Sequence, residues 1–267
     1  MLVRIIACAI ALFLAAGAGA APAEDWDDCK QGTGTVGLKG CTAWLAQEKE
    51  PDNRAFIYHR RGLVFELAGE YERSLLDFNE ALGLKPDNAH WYIDRALLYF
   101  LKEDLNAAIA DANRAVSMEP SRDAYQARGF ILYHSHDFAG AAADLARALE
   151  AQPDDPVSAI HRYLAKARAG EDVLAGLQAD AARLTTGSFY FAAVELYLGK
   201  VSPDALLALD EPQAGCQSRY FIGALNLLQH KPEEAASWFK QAAGKCDDAA
   251  GRWWFVSAHA ELKALAR

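Results

Sequence analysis

The sequence lacks the motifs that mark the common hydrolases and nucleotide-binding enzymes. Its 267 residues contain no H-E-x-x-H, no G-x-S-x-G and no G-x-x-x-x-G-K-[S/T]. They also contain no Lys/Arg-rich run, and 36 acidic residues against 27 Lys and Arg give a net charge of −9. This balance argues against binding to nucleic acid or to anionic lipid. We therefore expect a protein that is not an enzyme and that has no cofactor and no nucleic-acid partner.

Residues 1–23 have the composition of a secretory signal peptide. Arg4 supplies a short positive region, an apolar run extends from Ile5 to Ala16, and small residues with A-x-A sites follow. The apolar run is too short for a stable membrane span. Cys8 ends an I-I-A-C sequence similar to a lipoprotein cleavage box, but too few residues precede it to form an apolar region. We expect export to a bacterial periplasm by a cleaved signal, with no lipid anchor and no stable membrane insertion afterwards.

Cysteine is scarce in the remaining chain, where only Cys29, Cys41, Cys216 and Cys246 occur. An even number of cysteines in an exported chain favours disulfides, and the absence of a C-x-x-C spacing argues against a zinc site. Cys216 precedes one helix of a predicted antiparallel pair and Cys246 follows the other, so these two cysteines are expected to be neighbours. The same pairing leaves Cys29 to bond with Cys41.

The segment from Cys29 to Cys41, CKQGTGTVGLKGC, contains a match to the dinucleotide-binding pattern G-x-G-x-x-G. That pattern requires a buried apolar strand before its first glycine. The preceding residues, EDWDDCKQ, cannot form one. We therefore interpret the glycines as flexible positions in a short loop that turns tightly enough for Cys29 to reach Cys41. A helix is expected to follow, from roughly Leu38 to Glu48. The acidic residues around Trp26, and Asp247–Asp248 near the other end, are also expected in loops.

A unit of about 34 residues recurs along the chain. Each copy ends at a proline, and the intervals between Pro86, Pro120 and Pro153 are 34 and 33 residues. Each copy has a small residue followed three positions later by a large one; these pairs are Gly62/Phe65, Ala96/Tyr99 and Gly129/Leu132. The pattern resembles the tetratricopeptide repeat (TPR), a helix–turn–helix unit that buries its apolar face only by stacking on its neighbours.

This resemblance implies an all-α fold, a TPR helical-hairpin solenoid with a C-terminal helical repeat and a capping helix. We predict a signal peptide over 1–23, a disulfide-tied N-terminal segment and lead-in helix over 24–54, three repeats over 55–155, a degenerate fourth repeat over 156–186, and C-terminal helices, including one TPR-like hairpin and the cap, over 187–267. Two shorter helices are expected before that hairpin, the second one capped by Ser202.

Arginine and aspartate also recur at fixed positions of the repeat. Arg61, Arg95 and Arg128 share one position in the first helix, and Asp77, Asp111 and Asp144 share one in the second. Recurrence in every copy indicates ion pairs between helices rather than contacts with a ligand.

The segment over residues 195–243 is similar to the C-terminal half of the NlpI-type TPR lipoproteins of the bacterial outer membrane. It comprises a helix ending in YLGK, a short S-P-D-A-L-L helix and one more helical repeat. The resemblance implies a non-catalytic adaptor that docks envelope enzymes, including peptidoglycan hydrolases and a processing protease, often as a homodimer. This chain departs from the family because it has no usable lipid-attachment cysteine and carries two pairs of cysteines.

The inner face of the predicted solenoid is the candidate binding site, lined by the first helix of each repeat. Its expected residues are Phe56, His59, Leu63, Glu66, Leu67, His90, Ile93, Leu97, Phe100, Leu101, Asp123, Gln126, Phe130, Tyr133 and His134. The Lys, Asn and Arg that clamp a C-terminal carboxylate in some TPR proteins are absent from this set. An apolar and aromatic groove suits a hydrophobic peptide, a helix, a dimer partner or the chain's own terminal helices.

Two other classes of protein stay open. An envelope enzyme or metal protein would need His59, His90 and His134 to converge with carboxylates in one pocket. A structural subunit of a transport or secretion complex would have the same sequence features as an adaptor. Otherwise we expect His134–Asp137 to form a solvated turn, and one of Trp253 and Trp254 to pack on the penultimate repeat.

Overall fold

The computed structural model describes residues 23–171, 173–209, 214–245 and 252–266, and every regular element within them is an α-helix. Residues 1–22 of the predicted signal peptide lie outside the described residues, and so do Cys246 and Asp247–Asp248. Consecutive helices pack against each other as hairpins, and each hairpin packs against the next. The all-α prediction is confirmed.

The N-terminal segment is a complete hairpin rather than a loop followed by a helix. Helix α1 covers Ala23–Gln31 and helix α2 covers Gly34–Gln47, and the predicted Cys29–Cys41 disulfide joins them. The predictions of a loop for the acidic residues around Trp26 and for the glycine stretch are therefore wrong. An apolar contact between the two helices supports both of them, because Trp26 packs edge-on against Trp44 at a centroid distance of 3.9 Å.

The glycines of the leading hairpin let the backbones of α1 and α2 approach each other closely; they do not form the flexible loop that the sequence predicts. A Cβ atom on Gly37 would lie 2.3 Å from the carbonyl oxygen of Gly32, and one on Gly32 would lie 2.9 Å from the amide nitrogen of Gly37. Gly34, at the start of α2, has a φ of +55°, which glycine adopts without strain. The backbones of α1 and α2 therefore approach closely at the turn between them because Gly32 and Gly37 carry no side chain.

Three regular helix pairs follow the leading hairpin. They are α3 (Pro51–Leu67) with α4 (Tyr71–Leu84), α5 (Ala89–Leu101) with α6 (Leu105–Met118), and α7 (Arg122–His134) with α8 (Phe138–Ala151). Side chains of Asn88, Asp104, Ser121 and Asp137 cap the helices α5 to α8 by accepting backbone N–H bonds. Gly62 and Gly129 allow the first and third pairs to pack closely: a Cβ on Gly62 would lie 2.6 Å from the ring of Phe78, and one on Gly129 would lie 2.8 Å from the side chain of Leu145.

The predicted Arg–Asp ion pairs are confirmed in all three repeats. The guanidinium groups of Arg61, Arg95 and Arg128 each donate two hydrogen bonds, of 2.6–2.9 Å, to Asp77, Asp111 and Asp144 respectively. The fourth unit has its own version of the pair, formed by Arg162 and Asp180. The arginine and the aspartate are 18 residues apart in this unit and 16 apart in the regular repeats, so the regular spacing does not predict this pair.

The C-terminal helices depart from the regular period. They are α9 (Pro156–Arg168), α10 (Leu174–Ala181), α11 (Phe189–Tyr197), α12 (Pro203–Leu207), α13 (Ala214–Leu228), α14 (Pro232–Lys245) and α15 (Arg252–Leu265). Ser202 caps α12 as predicted, its hydroxyl accepting from the Ala205 amide at 3.1 Å. The helices α9, α11, α13, α14 and α15 share one large apolar core with residues of α7 and α8.

The last helix, α15, lies against α5 and α7 as well as against α13 and α14. Trp254 packs on Tyr220 and Phe221 of α13, with centroid distances of 5.4 and 5.3 Å, as predicted for one of the two tryptophans. The helix was expected to cap the end of the stack, but it also turns back across the inner face of the second and third repeats. There Val256 joins the buried apolar cluster of Phe100, Leu101 and Ile131, and this burial favours the position of the helix.

Candidate functional site

Helix α15 closes one part of the inner face through contacts at three levels. Near its start, the Trp253 ring stacks on Phe100 at 5.7 Å. At its middle, the Ser257 hydroxyl lies 3.2 Å from Nε2 of His134. Farther along, Glu261 accepts two hydrogen bonds, of 3.0 and 3.1 Å, from Arg168 of α9. The chain's own terminal helix therefore fills a portion of the predicted groove.

Beside α15 the inner face remains open as a pocket of about 360 Å³. It lies between α5, α7, α9, α11 and α15. Its lining residues are His90, Ile93, Asp94, Leu97, Asp123, Gln126, Ala127, Phe130, Leu145, Val157, His161, Tyr190, Trp253 and Trp254. We call it the inner pocket. Its walls are mostly apolar and aromatic, and its polar residues belong chiefly to α5 and α7.

The polar residues at the edge of the inner pocket are fixed by neighbours. Asp94 lies 2.7 Å from Nε2 of His59, whose ring stacks between Phe78 and Trp91. Gln126 donates from its amide to Asp155 at 2.5 Å and to the Ser158 hydroxyl at 3.0 Å. Side chains held in this way keep one orientation, so the pocket edge is preorganised for binding.

Next to this edge, Glu66 of α3 has a perturbed carboxyl group. Burial disfavours its charged form, and the like charge of Asp94 adds to the effect, so that the pKa of Glu66 rises from 4.5 to about 7. Glu66 and Asp94 thus place two interacting carboxyl groups on the inner face of the first two repeats, and that of Glu66 is partly dehydrated.

Two histidines are buried at the back of the site. His134 is 2% exposed and His161 is 1% exposed. Burial lowers the pKa of both imidazoles, that of His134 well below its ordinary value, with the neighbouring His161, His136 and Arg168 adding to the effect on His134. The prediction of a solvated turn at His134–Asp137 is wrong for His134, because α15 covers it. His136, at φ +66°, and the cap residue Asp137 are exposed.

Five of the ten principal groove candidates line the inner pocket: His90, Ile93, Leu97, Gln126 and Phe130. The other five lie elsewhere. Phe100 and Tyr133 are fully buried, Phe100 beneath α15 and Tyr133 beside Arg168. Phe56 packs on Trp26 of the leading hairpin, His59 on Asp94, and Leu63 is half-buried.

The histidines required by the enzyme or metal hypothesis do not converge. His59 is paired with Asp94, His134 with Ser257, and His90 is an exposed residue of the pocket edge. Within the described ranges, no three His, Cys, Asp or Glu residues are placed to hold a metal ion together. These three histidines therefore do not form the shared pocket that the enzyme or metal hypothesis requires.

Eight lining residues are absent from the sequence-based set, namely Asp94, Ala127, Leu145, Val157, His161, Tyr190, Trp253 and Trp254. Val157 and His161 could have been found by extending the first-helix register of the repeats to α9. Trp253 could not, because the packing of α15 against α5 and α7 follows no periodicity of the sequence. Cys216, for its part, is disulfide-bonded, while its predicted partner lies outside the described residues.

None of the helices in the described part of the chain combines the length and the apolar character needed to cross a bilayer.

Comparison with known proteins gives the same repeat. The family model of the tetratricopeptide repeat matches residues 57–88 and 89–122. A crystal structure of a tetratricopeptide repeat protein from Parabacteroides merdae superposes with a TM-score of 0.63 at 16% identity, covering 89% of this chain and 96% of that one. Human tetratricopeptide repeat protein 13 is 27% identical over 122 residues, and bacteriophage adsorption protein A of Escherichia coli K12 is 33% identical over 124. These matches cover 44% and 46% of this chain, but only 14% and 12% of those two proteins.

Proposed function

We propose that this chain, whose residues 57–122 match the tetratricopeptide repeat, is a non-catalytic scaffold of the bacterial cell envelope that binds another protein through the inner pocket. TPR proteins mediate protein–protein interactions, and their stacked helices provide concave binding surfaces. The observation that carries the proposal is the inner pocket itself, an open, apolar cavity of about 360 Å³ on the concave side of the repeats. Apolar cavities with a few fixed polar groups are the usual form of a binding site.

The envelope location rests on two features of the sequence. Residues 1–23 have the composition of a secretory signal, and Cys29 is bonded to Cys41, as expected in an oxidising compartment. The resemblance of residues 195–243 to NlpI-type proteins suggests peptidoglycan-processing or proteolytic enzymes as the partners. A homodimer and a role as subunit of a larger secretion complex are the alternative assemblies.

Site-specific photocrosslinking tests the binding surface. A photoreactive phenylalanine analogue replaces Gln126 at the pocket edge in the full chain, expressed in its native host, and a matched variant carries it at Ala143, an exposed position of α8 in the same repeat. The proposal expects one recurrent protein adduct from position 126 and none from position 143. Equal products at both positions, or no product at either, would contradict it. The identity of the adduct separates an adaptor for enzymes from a subunit of a secretion complex, and a crosslink to the chain itself indicates a homodimer.

The location is tested separately. We expect the chain in the periplasmic fraction, with an N-terminus near residue 24 when the purified protein is analysed by mass spectrometry. A cytoplasmic chain that retains residues 1–23 would refute the envelope assignment while leaving the pocket intact as a binding site.

A further inference from the structure

We propose that the inner pocket takes an arginine side chain of the partner protein, and that the carboxylate of Asp94 recognises its guanidinium group. This inference rests on the proposed function, because it names the chemistry of the segment that the scaffold binds. The occupant is a stretch of protein in which an arginine stands next to apolar side chains.

The carboxylates of the inner pocket are not balanced by basic side chains in its lining. Asp94 and Asp123 are among the lining residues, and none of the described residues that line the pocket is Lys or Arg. The chain as a whole has a net charge of −9. A cavity with apolar walls focuses the field of the charges at its edge, so a cationic ligand is favoured over an anionic one.

Asp94 has an oxygen atom available to a ligand. One carboxylate oxygen, Oδ2, lies 2.7 Å from Nε2 of His59, and the other, Oδ1, accepts no hydrogen bond from the described residues. The side chain is 19% exposed and lines the pocket, so a ligand there can reach it. The contact with His59 holds the carboxylate in one orientation, and an acceptor fixed in this way loses little conformational freedom on binding.

The charges around the two carboxylates make Asp94 the stronger site for a cation. Burial raises the pKa of the Glu66 carboxyl, and the like charge of Asp94 raises it further, so these two carboxyl groups are close enough to interact. A cation bound to Asp94 is therefore attracted by Glu66 as well. Asp123 instead contacts the guanidinium of Arg122, which also lies 3.4 Å from Asp155. That cation offsets the attraction of Asp123 for a second one.

The aromatic walls of the pocket favour arginine over lysine. Phe130, Tyr190 and Trp253 line it from three helices, and each of these side chains is only half-buried. A guanidinium group stacks on aromatic rings and is more weakly hydrated than an ammonium group, so it loses less hydration on entering an apolar cavity. Its planar array of N–H donors also matches the geometry of a carboxylate.

Peptides of equal shape and different charge test the proposal without knowledge of the partner. Acetyl-Leu-Arg-Leu-amide carries the guanidinium group, and its analogue carries citrulline, whose neutral urea group has almost the same shape. Binding to the full chain is followed by NMR through the indole N–H signal of Trp253. We expect the arginine peptide to bind with a dissociation constant of about 1 mM. The citrulline peptide should bind about tenfold more weakly, as expected for the loss of one charged hydrogen bond.

Three further comparisons locate the charge that the arginine meets. Asp94→Asn keeps an acceptor for His59 but removes the charge, while Asp204→Asn, at an exposed position of α12, removes a charge outside the pocket lining. The preference for arginine over citrulline should vanish in the first variant and persist in the second. It should also fall in the unaltered chain as NaCl is raised from about 20 mM to about 500 mM. A peptide with lysine in place of arginine should bind more weakly than the arginine peptide.

Equal binding of the arginine and citrulline peptides to the unaltered chain would overturn the role of Asp94, and this comparison remains decisive if Asp94→Asn does not fold. An equal loss of preference in both variants would reduce the effect to a general attraction to an acidic chain, and would overturn it too. A lysine peptide that binds as tightly as the arginine peptide would overturn the choice of arginine. No binding of any peptide up to about 10 mM would overturn the pocket as a site for this side chain. None of these results removes a crosslink at position 126, so the proposed function is judged independently.

Discussion

The three regular repeats and the helices that follow them use the same interactions over very different distances in the sequence. In the repeats, Arg61 and Asp77 are 16 residues apart, and the pair recurs in each copy. In the C-terminal part, Arg168 and Glu261 are 93 residues apart, and nothing in the described chain repeats their contact. The first kind of pair holds one hairpin together. The second kind ties α15 to α9 and so fixes how much of the concave face is open.

This contrast explains why the inner pocket is found where the two regions meet. A regular solenoid has nearest-neighbour contacts only, so its concave face is a continuous groove. Here α15 occupies the groove beside Phe100 and His134, and what remains open is a bounded cavity that α9, α11 and α15 help to enclose. The departures from the repeat therefore convert a groove into a pocket.

The largest effect is expected from breaking the long-range pair. Arg168→Met leaves Glu261, which is 2% exposed, without its cation. Loss of one partner from a buried pair costs about 3–5 kcal/mol. We expect a loss of unfolding free energy of this size in urea denaturation, together with exposure of Trp253 and Trp254 seen in fluorescence.

Arg147→Met is the matched control, since Arg147 and its partner Glu150 have side chains that are 63% and 65% exposed. It should change stability by less than about 1 kcal/mol. A loss in Arg168→Met no greater than in this control would mean that apolar packing alone holds α15, and that the contrast between local and long-range pairs has no energetic basis.

A smaller effect is expected where both regions share the repeat geometry. Gly62 packs against Phe78, and Gly223 of α13 packs against Phe239 with a comparable distance of 2.7 Å from an added Cβ. Gly62→Ala forces the Phe78 ring to move, and overpacking of this kind costs about 1–3 kcal/mol. Gly83→Ala, at an exposed position in the same repeat with open space around it, should instead stabilise by about 0.5 kcal/mol. Thermal unfolding of the two variants measures the difference; if both stabilise, close packing is not what selects glycine here.

The difference between the regular repeats and the C-terminal helices also explains which features could be predicted from the sequence. The Arg61–Asp77 type of pair, the small residue at Gly62 and the three helix pairs repeat with the period, so each copy supports the others. The cover over His134 and the position of Trp253 arise once, from the packing of α15 against α5 and α7, and no local pattern encodes them. The helical glycine segment was missed for a related reason: Gly34 and Gly37 have poor helix propensity, and the disulfide and the Trp26–Trp44 contact override it.

The smallest expected effect is the dependence of folding stability on pH, which has opposite signs in the two regions. On the first repeat, the pKa of Glu66 rises from 4.5 to about 7, so the folded state binds more protons than the unfolded state between these pH values. Its contribution to stability is present below pH 4.5 and is lost as the pH rises through 7. Burial lowers the pKa of His134 beneath α15 and of His161 on α9, so their contribution is lost as the pH falls below about 6.5.

Glu66→Gln isolates the first of these effects, because glutamine resembles the protonated carboxyl group while the histidines are unchanged. We expect no difference from the unaltered chain at pH 4.5 and a gain of about 1 kcal/mol at pH 8, the shift being discounted for partial exposure. Urea denaturation across this pH range measures it, with Glu80→Gln, at an exposed position of α4, as the control. A difference that does not vary with pH would show that Glu66 titrates as it does in the unfolded chain. The burial of Glu66 on the inner face of the first repeat would then impose no penalty on its charged form.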